Sequence, residues 1–241
     1  MLSLTQVRII LVEPAGPLNV GSIARVMKNM ALQRLILVNP KCDPLSEPAK
    51  LMAVHGVDIL EQAQQVSNLP EALQGCQRAI ATTARPRGTL TPLENPKNAL
   101  PWLLEPSLTS ALIFGPEERG LSNEELNYAQ RFVCIPSNPD YPSLNLAQSV
   151  AVCTYELYQA AQTSTPIPPE IEPAPLDILE GYYQHLEALL LKIGYLYPHT
   201  ATAKMEKFRR LYNRAELSPE EVALLRGILG HLDSLNSWRE K

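Results

Sequence analysis

Five short apolar runs punctuate the chain through about residue 160: VRIILV (7–12), RLILVN (34–39), RAIATT (78–83), SALIFG (110–115) and RFVCIP (131–136). They are nearly continuous rather than alternating in polarity, as strands buried on both faces are. Between them lie NVGSIARVMKNMALQ, SEPAKLMAVHG, LPEALQGC, NPKNALPWLLE and SNEELNYAQ. These read as helices, with Asn, Ser or a nearby Pro at their starts. Such alternation predicts an α/β domain over residues 1–161, a parallel sheet with helices on both faces. A further helix follows the last run, with Leu144, Ala147, Val150, Ala151 and Leu157 on its apolar face. Its head, NPDYPSLN, is long and turn-rich for a simple strand-to-helix joint.

The pattern then changes. QTSTPIPPEIEPAP (162–175) carries five prolines and two glutamates, and reads as an extended linker. Three helical patterns follow: LDILEGYYQHLEALLLKIG, TAKMEKFRRLYNRA and SPEEVALLRGILGHLDSLNSW. In the last, Ser218 caps, Pro219 takes the first helical position, and Glu220 and Glu221 complement the helix dipole. Residues 176–241 form a small all-α module on this reading.

Composition narrows the function classes. The 241 residues are 45% hydrophobic, enough for a core, and the net charge is -4. Nucleic-acid binding must therefore rest on a local patch rather than on bulk charge. One such patch lies at 192–214, where Lys192, Lys204, Lys207, Arg209, Arg210 and Arg214 face only Glu206. Lys207, Arg210 and Arg214 share one helical face, with Met205, Phe208 and Leu211 on another. Tyr212 beside the basic stripe is a candidate for stacking on a base. Cys42, Cys76, Cys134 and Cys153 are widely spaced, with no Cys/His cluster, so neither a metal nor a disulfide framework is expected. MLSLTQVRIILVEP lacks the basic start and long apolar core of a signal peptide, and no run approaches membrane-spanning length. A cytoplasmic protein without membrane contact is the expectation.

Four motifs sit at predicted strand ends, where open α/β sheets bind ligands. After the first strand, Asn19 reads as an N-cap and Val20, Ile23, Ala24, Met27, Met30 and Ala31 as a buried stripe. Arg25 lies about 200° around the helix from Ile23, away from that stripe. It is either a solvated arginine or one placed to meet a phosphate or a developing anion. FGPEERGLSNEEL has two glycines in one short loop, which suggests close backbone approach to something. Leu121 and Ser122 stand where a P-loop needs Lys and Ser or Thr, which disfavours a nucleoside triphosphate. Glu117 is a turn residue or a site residue. TTARPRG (82–88) ends a strand with hydroxyls and two arginines. In the NPDYPSLN head, Ser143 is a good N-cap after Pro142, which leaves Asn145, a poor helix former, without a local reason.

Together the motifs resemble the SPOUT class of RNA methyltransferases. Asn19-x-Gly21-x-x-x-Arg25, Gly115-x-Glu117-x-x-Gly120-Leu121, and Ile135-Pro136 followed by Ser143-Leu144-Asn145 stand in that class's order. With TTARPR, NPDYPSLNLA and KFRRLYNRA…LLRGIL, the likeness to TrmJ-type bacterial tRNA 2′-O-methyltransferases spans nearly the whole chain. The resemblance implies a trefoil-knotted domain, S-adenosylmethionine as methyl donor, and a homodimer with composite active sites. It also implies tRNA as partner, methylated on the ribose of the first anticodon-loop nucleotide, usually a pyrimidine, cytidine or uridine. By the same likeness Thr82, Thr83, Ala84, Gly115, Ile135, Ser143 and Leu144 contact the cofactor. Arg25, Ser143 and Asn145 serve catalysis. Arg85 and Arg87 join Lys207, Arg210 and Arg214 on the RNA. Pro142 stands where the class has a small polar residue, and removes one backbone donor. Two other classes compete: a non-catalytic RNA-binding module, supported by the basic stripe, and a Rossmann oxidoreductase, disfavoured because no GxGxxG follows a strand.

Overall fold

The computed structural model describes residues 2–84, 92–163 and 172–239. The chain divides into two compact units, Met1–Pro168 and Pro169–Lys241. Most of the proline-rich stretch, 164–171, lies outside the described residues.

In the first unit the order is β1 (Val7–Val12), α1 (Pro17–Asn29), β2 (Arg34–Val38), α2 (Glu47–Ala53), α3 (Val57–Glu61), β3 (Gln64–Val66), α4 (Leu69–Leu73) and β4 (Arg78–Thr82). It continues with β5 (Leu93–Glu94), α5 (Pro96–Ala99), β6 (Ser110–Phe114), α6 (Asn123–Leu126), β7 (Arg131–Val133) and α7 (Leu146–Thr163). The strands form a seven-stranded sheet in the order β3-β2-β1-β6-β4-β7-β5. Every strand pair is parallel. Both faces are buried, which is why the strands read as unbroken apolar runs. Ile9, Leu11, Leu35, Leu37, Leu112 and Phe114 join Val20, Ile23 and Met27 of α1 and Val150 of α7 in one core. Ile10, Ile36 and Ile113, in register across β1, β2 and β6, are buried as well. Arg8 is the polar exception in β1. Its guanidinium donates to the Ala72 and Gln74 carbonyls at 2.9 and 2.8 Å, at the end of α4 where helix carbonyls lack partners.

Several elements are shorter than the sequence predicts. RFVCIP yields a strand only over Arg131–Val133. The Cys134 amide still reaches the Glu94 carbonyl at 3.0 Å. Pro136 then has no amide to offer a ladder. SNEELNYAQ gives four helical residues, opened by a capping box in which Ser122 and Glu125 exchange bonds of 3.1 and 2.6 Å. Two strands have no counterpart among the five runs. β3 is QQV and β5 two residues, too polar or too short to leave an apolar signal.

Close packing explains one motif glycine. A Cβ on Gly21 would lie 2.1 Å from the Ala49 carbonyl oxygen, so α1 and α2 meet only because this position has no side chain.

The second unit is α8 (Leu176–Lys192), α9 (Pro198–Asn213) and α10 (Pro219–Arg239). Ser218 and Glu221 cap α10 reciprocally, at 3.2 and 2.9 Å. Leu179, Tyr182, Tyr183, Leu186, Met205, Val222 and Leu229 form the core. Tyr212 packs edge-on against Tyr182 with ring centroids 5.2 Å apart. It is partly buried, packed against the core of this unit. Leu211, assigned to the apolar side, is exposed instead. The apolar face of α9 runs through Met205, Phe208 and Tyr212.

Candidate active site

The C-terminal ends of β1, β4, β6 and β7 bring the four motif loops to one edge of the sheet. After β6 the chain turns back at once. The Gly120 amide donates to the Pro116 carbonyl at 2.9 Å, and Gly120 adopts φ +66°. A Cβ on Gly115 would sit 2.3 Å from the Leu121 amide nitrogen and 2.4 Å from the Gly120 carbonyl carbon. The close approach inferred from the two glycines is thus to the loop's own backbone.

Two helix starts differ from expectation, and the difference builds the site. Helix α1 opens with Gly16 as cap and Pro17 at the first position, where a missing amide costs nothing. Asn19 is therefore inside the first turn and its amide is free to reach sideways. Its Nδ2 donates to Glu117 Oε1 at 2.9 Å. Glu117 Oε2 accepts the Ala15 amide at 3.3 Å. At α7 the cap is Asn145, not Ser143. Asn145 Oδ1 accepts the Ala147 and Gln148 amides at 2.9 and 3.3 Å, while Gln148 Oε1 accepts the Asn145 amide. The cap role leaves Asn145 Nδ2 to donate to Asn19 Oδ1 at 3.0 Å. One hydrogen-bonded chain, Glu117–Asn19–Asn145, thus ties the β6 loop, α1 and α7 together. The presence of Asn at 145 is explained by both ends of its amide being used. Asn145→Asp keeps the cap oxygen and loses the donor. It should preserve thermal stability while lowering turnover, whereas Asn145→Ala should also cost about 1 kcal/mol of stability. Wild-type turnover in Asn145→Asp would show that the link to Asn19 is incidental.

A cavity of about 540 Å³ opens beside this chain. Thr82, Thr83, Ala84, Gly115, Ile135, Ser143 and Leu144 all line it. The Thr82 hydroxyl is committed to the Ile113 carbonyl at 3.0 Å, and the Thr83 amide to the Val133 carbonyl at 2.9 Å. Ser143 is exposed on the cavity wall, released from capping. Tyr141, 78% exposed, and Ser149 of α7 also line the wall, although the sequence reading did not single them out. Arg25 is exposed on α1 and does not line the cavity of its own chain. Arg85 and Arg87 lie outside the described residues.

On the second unit the basic stripe is smaller than its sequence count. Lys192 pairs with Asp233 at 2.7 Å, and Arg209 forks onto Glu180 at 2.6 and 2.9 Å. Lys204 donates to the Tyr195 carbonyl. Arg210 leans on Glu206 through its backbone carbonyl at 3.2 Å. Lys207 and Arg214 are exposed.

Charges at the β1 end form their own network. Arg119 forks onto Glu125 at 2.8 and 2.9 Å and reaches Glu13 at 2.8 Å. Lys41 meets Glu13 from the other side at 3.1 Å. The Arg119 and Lys41 hydrogen bonds hold the Glu13 carboxyl below its ordinary pKa. Burial pushes Glu125 up, but its bonds to Arg119 and Ser122 outweigh this and leave it lowered. Among the described residues no group of three or more His, Cys, Asp or Glu is placed to hold a metal, and no helix is long and apolar enough to cross a membrane.

The arrangement suits methyl transfer to an alcohol: a pocket for a sizeable donor, a serine hydroxyl on its wall and a hydrogen-bonded rim. Comparison with known proteins agrees. Residues 6–155 match the SpoU rRNA Methylase family, and residues 177–241 match the C-terminal domain of the tRNA methyltransferase TrmJ. The chain is 40% identical to the tRNA (cytidine/uridine/adenosine-2′-O-)-methyltransferase TrmJ of Pseudomonas aeruginosa, covering 94% of this chain and 93% of that one. It is 40% identical to the tRNA (cytidine/uridine-2′-O-)-methyltransferase TrmJ of Klebsiella pneumoniae, covering 98% and 100%. The crystal structure of TrmJ from Z. mobilis superposes with a TM-score of 0.84 at 32% identity, over 94% of this chain and 98% of that one. The chain belongs to the SpoU methylase family and, with both parts matched, to its TrmJ tRNA 2′-O-methyltransferases.

Proposed function

We propose that the protein methylates the 2′-hydroxyl of a ribose in the anticodon loop of tRNA, at the first loop nucleotide, with S-adenosylmethionine as donor. The observation that carries this is the convergence of three motif loops, those after β4, β6 and β7, on one cavity whose wall residue Glu117 is tied to Asn19 and, through it, to Asn145. Its volume lies within the usual range for cofactor sites, about 300–1,000 Å³. Ile135 and Leu144 offer an apolar wall, and the strand-end backbone offers polar groups. The relatives' names cover cytidine, uridine and, in the Pseudomonas protein, adenosine. Ribose is common to all three, which suits recognition of the sugar and phosphate over the base. A non-catalytic RNA binder would leave the cavity and its rim without a use.

The donor, when bound, supplies an electrophilic methyl on a sulfonium. The protein must position the ribose, take the hydroxyl proton and stabilise the oxygen as it becomes an alkoxide. A guanidinium stays protonated at any working pH, so Arg25 is a clamp on the target phosphate and a stabiliser of the alkoxide. The Ser143 hydroxyl, or a phosphate oxygen, relays the proton to solvent. Asn145 fixes the wall on which Ser143 stands. Because Arg25 does not line its own cavity, it serves the site of the partner subunit in a homodimer. Leu18 of α1 and Val152 and Tyr155 of α7 are exposed apolar residues, consistent with such an interface. The trefoil knot of the SPOUT class belongs to this reading, with residues 134–145 as part of it. Its support is the seating of β7 between β4 and β5.

Donor binding needs no metal on this account. Calorimetry with S-adenosylhomocysteine in the presence of a chelator should show full binding, and strict dependence on a divalent ion would sink the proposal. The helical unit supplies phosphate contacts through Lys207, Arg210 and Arg214. Replacing all three with Ala should lower the log–log salt slope of tRNA binding by roughly two units. Donor affinity should not change. An unchanged slope would reduce the stripe to a solvated face.

A further inference from the structure

Glu13 is a strange residue for its backbone. It follows β1 directly at φ +47°, the left-handed region where glycine is free and a side chain is penalised. The carboxylate, however, is fully occupied. Arg119 holds Oε2 at 2.8 Å, and Lys41 and the Asn39 side-chain amide hold Oε1 at 3.1 and 3.0 Å. Its amide is fixed to the Val38 carbonyl at 2.8 Å, so the anchor is seated on both β1 and β2. A side chain kept at a backbone position that favours glycine points to a use for that side chain.

The other end of the bridge is equally fixed. Glu125 belongs to the capping box of α6 and accepts the Ser122 amide at 2.6 Å. Arg119, between the two carboxylates, sits in the loop that walls the cavity, and also donates to the Gly120 carbonyl at 3.0 Å. We infer that Arg119 is a positioning residue for the methyl donor. By bridging Glu13 at the end of β1 to Glu125 on α6, it holds the 115–121 loop in the shape that walls the cavity. This inference rests on the donor reading proposed above. It also removes Arg119 from the cations that meet RNA, because its fork is spent on carboxylates.

The test uses the full-length protein, calorimetry with S-adenosylhomocysteine, and steady-state methylation of tRNA. Arg119→Met keeps the length of the side chain and loses the bridge. It should raise the Kd for S-adenosylhomocysteine and the KM for the donor roughly fivefold, as suits a partly exposed network. The tRNA Kd and kcat should stay near wild type. Arg119→Lys keeps the charge without the fork, and should fall between the two. Glu13→Gly is the discriminating variant. It relieves the backbone, so thermal stability should not fall, yet donor affinity should fall as in Arg119→Met. Donor affinity at the wild-type level in Arg119→Met or in Glu13→Gly would overturn the inference. So would an Arg119→Met protein that loses tRNA affinity and keeps the donor. Wild-type protein that binds no S-adenosylhomocysteine would instead refute the donor reading itself.

Discussion

Arg25→Ala should reduce methyl transfer to tRNA by about a hundred- to a thousandfold, the usual loss when a group aimed at developing charge is removed. The Kd for S-adenosylhomocysteine should stay within about twofold of wild type, since Arg25 lies outside the cavity that its own chain walls. The side chain is exposed on α1, so its removal creates no void and the fold should be untouched. Single-turnover assays and calorimetry on one preparation check both halves. Equal losses in donor affinity and in rate would mean that the residue was given the wrong job. An Arg25 that acts across a dimer has a sharper consequence. In mixed dimers of Arg25→Ala with a Gly115→Ala chain, one site receives an intact arginine and an intact donor pocket. Partial recovery of activity is expected there, and no recovery would place Arg25 in its own chain's site.

Gly115→Ala should be the most damaging single change in the cavity wall. The added methyl would lie 2.3 Å from the Leu121 nitrogen, and all three of its nearest atoms are backbone, so no side chain can swing aside. The loop itself must move. Donor affinity should fall by at least about tenfold, with about 1–3 kcal/mol lost from the stability of the first unit. Gly120→Ala makes a useful contrast. It has open space around its Cβ position and suffers only from φ +66°, at a cost of about 1–2 kcal/mol. Its effect on donor binding should be the smaller of the two. The reverse order, measured by calorimetry, would contradict the account of the loop.

Burial on both faces made the sheet legible in the sequence: VRIILV and SALIFG announce themselves because nearly every side chain is inside. The two strands that went unseen, QQV and Leu93–Glu94, lie at the sheet edges, where few apolar positions are required. The cavity residues were legible only through the order of motifs, since Thr82 or Ser143 alone says nothing about a ligand. The misjudged helix starts have a common cause. Asn19 and Ser143 are good caps by composition, but Pro17 and the Asn145–Gln148 pair compete for those roles through backbone geometry that composition does not encode. Reassigning the caps changed the chemistry, because it freed Asn19 to bind Glu117 and Asn145 to bind Asn19. The cation count of the helical unit misled for another reason. Asp233 and Glu180, which neutralise Lys192 and Arg209, are distant in sequence and near only after folding.

Mass spectrometry of nucleosides released from unmodified tRNA, after incubation with the protein and isotopically labelled donor, decides whether a ribose hydroxyl in the anticodon loop accepts the methyl of S-adenosylmethionine. A labelled 2′-O-methylnucleoside should appear, map to the first nucleotide of the anticodon loop, and be lost with Arg25→Ala. A label found on a base, on a ribose outside that loop, or nowhere in the tRNA would contradict the proposed function.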